Sequence, residues 1–247
     1  MVRITTSWDD GDVLDVRLSN LLTRYRIRGT FYVSKNYRPN RLTEEHIRDI
    51  ATYHEIGAHT LTHPDLRTLK ENQLNEEILG SKQWLENVIH SQVTTFCYPK
   101  GFYNDSAISA VQNAGFVGAR TTKLGGGTLP EHPYLIDTTI QVYPFPFRKI
   151  SPTRYYPGKI IEPYTQRAKA LHSLGVPYFS MYSWLSTAKA TFDSILSKQG
   201  VYHLWGHSWE IEKYGMWDDL EKLLQYIGNR ENCSYITNAE LLKYIVL

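Results

Sequence analysis

Short runs of apolar, β-branched and aromatic residues alternate along this chain with segments of helical periodicity. The short runs predict strands at Val2–Ser7, Gly29–Ser34, Glu55–His59, Val93–Tyr98, Gly115–Arg120 and Gly200–His207. The helical segments predict helices at Val13–Arg26, after a Thr43 cap, at Glu71–His90, Asp105–Ala114, Glu162–Ser173 and Thr191–Gln199, and at two places near the C-terminus. This alternation is typical of βα units around a parallel sheet.

The middle of the chain is less regular. Three consecutive glycines at 125–127 and the proline-rich stretch 143–157 predict loops, because proline cannot lie inside a helix or a central strand. We find no internal repeat, low-complexity tract or linker. The sequence therefore predicts one barrel-like α/β domain over residues 1–247.

Composition excludes several classes of function. Lys and Arg number 27 against 25 Asp and Glu, so the formal charge is +2, which argues against a basic nucleic-acid-binding protein. No apolar run approaches the roughly 20 residues that span a bilayer. Two distant cysteines are too few for a disulfide framework. With no signal-peptide pattern at the N-terminus, we expect a cytoplasmic protein.

Three predicted strand ends carry side chains that bind metals or transfer protons. The first is Ser7–Asp12, with the sequence SWDDGD. Successive strand side chains point to opposite faces, so Asp9 and Asp10 can share a pocket only if the strand breaks there, and Gly11 permits that break. The alternative is an acidic helix N-terminus capped by Asp12.

The second strand end is His59–His63, with the sequence HTLTH, followed by Pro64. Two histidines four positions apart lie on one face of a helical turn and can hold one metal ion. The third is His203–His207, with the sequence HLWGH. An imidazole there can exchange a proton near neutral pH, whereas a buried structural histidine is the other interpretation, preferred for His203.

Taken together in this order, the motifs resemble those of the polysaccharide deacetylases, the NodB-type domain of carbohydrate esterase family 4. SWDDGD is similar to the family's T-F-D-D-G motif, and HTLTH matches its H-[ST]-x-x-H. Phe96–Gly101 lies where the family has F-R-P-P-Y-G, and the His207 strand corresponds to the late L-x-L-x-H element. The resemblance spans roughly residues 2–210.

The resemblance implies a distorted (β/α) barrel of about seven parallel strands, related to the eight-stranded type. It also implies one divalent metal ion, usually zinc, with cobalt, nickel or iron as alternatives. By matched position Asp10, His59 and His63 are the expected metal ligands. Asp9 is then the expected general base and His207 the general acid, with a backbone N–H near Lys100 stabilising an oxyanion.

The chain departs from the family pattern in two places. Cys97 stands where the family usually has an arginine that orients the base. Arg120, at the end of the next predicted strand, is a candidate to replace it, although a surface arginine is the alternative. The family's Asp–Trp element has no clear counterpart, with Asp137 as a weak substitute.

Substrate contacts are predicted mainly for aromatic side chains, because rings stack on sugars. The candidates are Trp8, Tyr98, Lys100, Trp205 and Trp209, with Tyr103 as a further rim residue. The 143–157 loop is expected to shape the pocket or to pack against a second copy of the chain in a homo-oligomer.

The leading hypothesis is a metal-dependent hydrolase that removes the N-acetyl group from an acetylated amino sugar in a glycan, a glycan precursor or a lipid-linked sugar. The alternatives are a deformylase or cyclic-amide hydrolase acting on a small amide, and a non-catalytic carbohydrate-binding relative. The expected partner is the carbohydrate or small amide substrate, and no nucleic acid.

Overall fold

A computed structural model describes residues 1–145 and 167–245 of the chain. Within them, strands alternate with helices around one parallel sheet. The strands are β1 (Val2–Asp10), β2 (Thr30–Val33), β3 (Glu55–Ala58), β4 (Thr95–Cys97), β5 (Gly118–Leu124), β6 (Ile136–Thr138), β7 (Ile140–Gln141), β8 (Val201–Gly206) and β9 (Cys233–Tyr235).

The sheet order is β6-β5-β4-β3-β2-β1-β8-β7, and every pairing between neighbours is parallel. β9 pairs with the first part of β1, whereas β2 pairs with its last part. The eight ordered strands form a nearly closed barrel with helices between them. This confirms the predicted (β/α) barrel, with one strand more than the seven expected.

The helices are α1 (Asp15–Arg24), α2 (Glu44–Ala51), α3 (Glu71–Ile89), α4 (Asp105–Asn113), α5 (Trp184–Lys198), α6 (Ser208–Lys213), α7 (Trp217–Ile227) and α8 (Asn238–Leu242). Residues 167–173 are also helical. Thr43 caps α2 as predicted, accepting a hydrogen bond from the backbone N–H of His46. None of the helices in the described residues is long and apolar enough to span a membrane.

Four predictions about these elements need correction. β1 continues to Asp10, where a strand end at Ser7 was expected. α5 begins at Trp184, seven residues before the expected start, because Ser183 accepts a hydrogen bond from the backbone N–H of Ser186. The short strands β6, β7 and β9 were missed, and three helices rather than two follow β8. The loop predicted at 143–157 and the helix start at Glu162 lie largely outside the described residues.

The core lies between the barrel and its helices. Buried apolar side chains from β1, β2 and β8 include Ile4, Phe31 and Leu204, which have no exposed surface. Burying one such side chain contributes about 1.5–3 kcal/mol. This packing fixes the strands, and the barrel edge where β1, β3 and β8 end is where the chemically active side chains gather.

Candidate active site

A cleft of about 550 Å³ opens at the carboxyl ends of the strands. In a parallel barrel, this is the edge where residues from different strands meet. The cleft is lined by Asp9, Asp10, Tyr37, His59, His63, Lys100, Thr122, Leu124, Gln141, Arg167, Ala170, Trp205, His207 and Trp209. Five of the six residues predicted to act in catalysis or metal binding therefore line this cleft, and the sixth, Arg120, lies directly behind Asp9.

The end of β1 brings two adjacent carboxylates into the same cleft. Asp10 has a φ of 85° and Gly11 a φ of 72°, so the chain turns sharply where the strand ends. A Cβ atom at Gly11 would lie only 2.7 Å from Cγ1 of Val33, so glycine is required for space as well as for its backbone angle. The predicted strand break is confirmed, and it begins at Asp10 itself.

Asp10 faces two imidazoles. Its Oδ1 lies 3.7 Å from Nε2 of His59 and 3.6 Å from Nε2 of His63. This oxygen is buried and has no hydrogen-bond partner within the described residues. Nδ1 of His59 lies 2.7 Å from the carbonyl oxygen of Cys97, so it donates there and Nε2 is left as the electron-pair donor.

These three side chains fit a divalent metal ion. Two imidazole nitrogens and one carboxylate oxygen, all within 4.8 Å of one another, are a donor set that suits zinc and similar ions. Burial lowers the pKa of His59, and burial together with the nearby imidazole of His59 lowers that of His63 to about 3. Both rings are therefore neutral at physiological pH, which is the form that binds a metal.

Asp9, unlike Asp10, interacts with Arg120 and Cys97. Its Oδ1 accepts a hydrogen bond from Nη2 of Arg120, which is completely buried, and its Oδ2 lies 3.7 Å from the sulfur of Cys97. Burial would raise the pKa of Asp9, but the charge and hydrogen bond of Arg120 and the nearby imidazoles of His59 and His207 together outweigh it, so that the pKa is lowered. Asp9 is therefore ionised at neutral pH.

Arg120 reaches Asp9 from β5, one strand away from the position of the family's motif arginine. Its guanidinium lies 4.8 Å from the ring centre of Trp205 and 5.4 Å from that of Tyr32. Its Nη1 donates to the carbonyl of Thr121 at 3.2 Å. The structure thus places Arg120 against Asp9 as expected, and a surface position is excluded.

His207 follows β8 and pairs with a carboxylate that the sequence reasoning missed. Nδ1 of His207 lies 2.7 Å from Oε2 of Glu210, and its Nε2 lies 4.0 Å from Oδ2 of Asp10. Burial would lower the pKa of His207, but the hydrogen bond to Glu210 and the charges of Asp10 and Asp9 raise it to about 9. Glu210 could have been found from its place three residues after His207, one turn along α6.

Among the predicted substrate contacts, Lys100, Trp205 and Trp209 line the cleft. The indole N–H of Trp209 donates to Oδ2 of Asp10 at 2.8 Å, which holds the carboxylate in place. Tyr37, which was not predicted, stacks on the ring of His63 at 3.9 Å between centroids.

Trp8 and Tyr98 do not line the cleft, which corrects two predictions. Trp8 lies in the core with its indole N–H bound to Oγ1 of Thr6 at 3.0 Å, because its side chain leaves β1 on the face opposite to Asp9. Tyr98 is fully buried against Tyr103.

Three further candidates also lie away from the cleft. Tyr103 and Asp137 line a second pocket beside the 125–127 loop, and Asp137 pairs there with Lys123. His203 is a buried structural histidine, as preferred, with its Nε2 2.8 Å from Oγ of Ser7.

Fold and site together define a parallel (β/α) barrel protein with a two-histidine, one-carboxylate candidate metal centre at its carboxyl edge. Residues 2–119 match the family model described as polysaccharide deacetylase. This match covers just under half of the chain and supports its assignment to the polysaccharide deacetylase family.

Individual relatives agree with that assignment. The chain is 29% identical over 119 residues to a Bacillus subtilis protein provisionally named a polysaccharide deacetylase, covering 47% of this chain and 43% of that one. It is 29% identical over 117 residues to the chitooligosaccharide deacetylase of Bradyrhizobium, covering 44% and 51%. The chain spans about half the length of these curated relatives.

A solved structure extends the likeness over the whole fold. A Mycobacterium smegmatis protein, provisionally called a polysaccharide deacetylase, superposes with a TM-score of 0.69 at 16% identity and covers 99% of this chain and 90% of its own. At this identity the superposition shows the common fold, including the part of the barrel beyond residue 119.

Proposed function

We propose that this chain is a metal-dependent deacetylase that hydrolyses the N-acetyl amide of an amino sugar. The observation that carries the proposal is the separation of two adjacent carboxylates into two roles. Asp10 faces His59 and His63, whereas Asp9 is ionised and held by Arg120. The Bradyrhizobium relative is named a chitooligosaccharide deacetylase. Hydrolysis of an amide needs both a group that polarises the carbonyl and a group that accepts a proton from water.

Asp10, His59 and His63 would hold the metal ion, with zinc proposed as the native one. When bound, a divalent cation polarises an amide carbonyl and acidifies a coordinated water molecule. The protein's own part is to orient the ligands: the Cys97 carbonyl orients His59, and the Trp209 indole orients Asp10.

Asp9 would act as the general base and His207 as the general acid. Arg120 keeps Asp9 ionised, so that its Oδ2 can accept the proton of the attacking water. His207 carries a proton at neutral pH because Glu210 raises its pKa, and it can give that proton to the departing amine. The backbone N–H of Lys100 is proposed to donate to the carbonyl oxygen as negative charge develops.

An acetylated sugar is the proposed substrate because the cleft combines rings with polar groups. Trp205 and Trp209 can contact a sugar face, and Gln141 and Thr122, which also line the cleft, can bind hydroxyl groups. Arg120 in contact with Asp9 removes the main argument for a non-catalytic carbohydrate-binding relative, namely the missing motif arginine.

Metal content per chain tests the proposal first. Wild type should bind about one divalent ion per chain and release acetate from N-acetylated oligosaccharides, and His63→Ala should lose both properties. His90→Asn is the matched control, because His90 is an exposed helix-terminal residue whose positive φ asparagine tolerates.

The identity of the product separates the remaining alternatives. Formate in place of acetate would indicate a deformylase, and a ring-opened acid would indicate a cyclic-amide hydrolase. A wild-type protein that binds oligosaccharide but binds no metal and releases no hydrolysis product would contradict the proposal.

A further inference from the structure

The loop that carries both histidine ligands is held by a carboxylate outside the cleft. Glu77 lies on α3, and its Oε2 accepts hydrogen bonds from the backbone N–H groups of Leu61 and Thr62, at 2.8 and 2.9 Å. Its Oε1 accepts a third bond from the hydroxyl of Thr62 at 2.5 Å. One side chain thus binds the two residues at the centre of the His59–His63 loop.

This loop needs an external hold because its backbone is strained. Thr60 has a φ of 67° and His63 a φ of 60°, in the left-handed region that β-branched residues in particular avoid. The next amide, that of His63, donates to Oγ1 of Thr60 at 2.9 Å. Three successive N–H groups therefore end on side-chain oxygens, two of them on Glu77.

The carbonyl side of the same loop is bound by a different element. The backbone N–H of Asn36 donates to the carbonyl of Leu61 at 2.8 Å, and the hydroxyl of Ser34 donates to the backbone carbonyl of Thr60 at 3.3 Å. The loop is thus fastened between the end of β2 on one side and α3 on the other. The β2 side offers backbone and hydroxyl donors, whereas Glu77 supplies the charged acceptor.

We propose that Glu77 is a positioning residue of the metal centre, which fixes the spacing of His59 and His63 and so raises the affinity of the chain for a divalent ion. The inference rests on the proposed metal-binding function. Hydrogen bonds to a charged carboxylate are about twice as strong as neutral ones. The bonds to Glu77 are therefore the strongest of the contacts described above that hold the His59–His63 loop. Outer partners of metal ligands typically change affinity 10- to 100-fold when removed.

The test is the dissociation constant for Zn²⁺, measured by chelator competition on wild type, Glu77→Ala, Glu77→Gln and Glu76→Ala. Glu77→Ala should raise the dissociation constant about 10- to 100-fold. Glu77→Gln should be intermediate, because its amide oxygen can still accept the bonds from Leu61 and Thr62. Glu76→Ala removes the same charge from an exposed neighbouring position and should match wild type.

A second readout on the metal-free protein separates positioning from general stability. In Glu77→Ala the amides of Leu61 and Thr62 should exchange hydrogen faster, with the other protected amides unchanged. A lower melting temperature with an unchanged dissociation constant would overturn the inference and leave the proposed function intact. A wild type that binds no divalent ion would overturn both.

Should Glu77→Ala fail to fold, two milder variants keep the inference open to refutation. Thr62→Val removes only the bond to Oε1, at an exposed position, and should weaken Zn²⁺ binding less than Glu77→Gln does. The order wild type, Thr62→Val, Glu77→Gln is expected, and equal dissociation constants for all three would overturn the proposal.

Discussion

The two walls of the cleft are built by different kinds of contact. On the N-terminal wall, which carries Asp10, His59 and His63, main-chain features act directly on the ligands: a carbonyl fixes His59, and left-handed backbone angles aim Asp10 and His63. The side chains of Trp209 and Glu77 support this arrangement from outside. On the C-terminal side, where His207 lines the cleft and Arg120 lies directly behind Asp9, positions are set by pairs of side chains.

The difference explains which residues short motifs can reveal. Main-chain contacts require particular residue types at fixed local spacing, so the ligands on the N-terminal wall appear as motifs in the sequence. A side-chain pair requires only that two groups meet, so its members can come from any strand. The family model in fact matches residues 2–119 and ends one position before Arg120.

The largest effect on turnover is expected at Asp9, where the two walls meet. Asp9→Asn removes the proton acceptor but no metal ligand, so kcat should fall by about 10²–10⁴-fold with the metal content unchanged. Steady-state kinetics and elemental analysis measure the two quantities. Asp12→Asn is the matched control, since Asp12 pairs with Arg38 outside the cleft lining. Loss of the metal in Asp9→Asn would mean that Asp9 is itself a ligand.

The second-largest effect is expected for Arg120→Ala, which removes the side-chain pair between Arg120 and Asp9. Removal of the guanidinium leaves Asp9 buried without its cation, which should destabilise the fold by about 3–5 kcal/mol in denaturant unfolding. The pKa of Asp9 should rise, because burial is then less opposed, and kcat at neutral pH should fall about 10²-fold with partial recovery at higher pH.

The sign of the pH effect follows from the lowered pKa of Asp9 in the folded wild type. The pair stabilises the fold fully above the ordinary Asp value of 3.8, and this contribution is lost as the pH falls through the lower folded value. Arg120→Lys keeps the charge and should lie between the two proteins. An unchanged pH profile in Arg120→Ala would show that Arg120 does not tune the base.

Glu210→Gln tests the other side-chain pair, that of His207 and Glu210, through the pH dependence of kcat. Protonated His207 is the proposed acid, so activity should fall as the pH rises through its pKa, which Glu210 helps to raise to about 9. Without that carboxylate the alkaline limb of the kcat profile should move to lower pH, by about one unit. Glu212→Gln, on the same helix but paired with Arg17, should leave the limb in place. The same limb in both variants would exclude His207 as the titrating acid.

The smallest effects are expected for two tryptophans. Trp205→Phe should raise KM about threefold, because it replaces an indole that lines the cleft with a smaller ring. Trp8→Phe should leave KM unchanged and cost roughly 1 kcal/mol of stability, through the lost bond to Thr6. Steady-state kinetics and thermal unfolding distinguish the two variants, and a change in KM for Trp8→Phe would contradict the position of Trp8 in the core.

Most of the fold was predictable wherever an element carries its own local signal. The first five strands and four helices came from periodicity and capping, with ends displaced by a few residues. β6, β7 and β9 have two or three residues each and exist only through pairing with distant strands, as β9 does with the start of β1. No local pattern identifies such strands.

The site divides in the same way. Asp9, Asp10, His59 and His63 were candidates from their strand-end positions and spacing, and the resemblance to the family gave them their expected roles. Glu77 and Glu210 were missed because carboxylates on amphipathic helices are usually solvated. The prediction that Trp8 contacts the substrate was wrong, although it could have been avoided from the sequence. Side chains alternate between the two faces of a strand, as stated above for Asp9 and Asp10, and the same alternation places Trp8 on the face opposite to Asp9.

The arginine that reaches Asp9 from β5 also bears on how genomes are searched for working members of this family. A filter that demands arginine in the third motif would discard this chain at Cys97, although a guanidinium occupies the corresponding contact from Arg120. Screening in three dimensions, for any cation within hydrogen-bonding reach of the first aspartate, would retain it. Among distant homologues, an inventory of such substitutions would separate chains that have moved a functional group from those that have lost it.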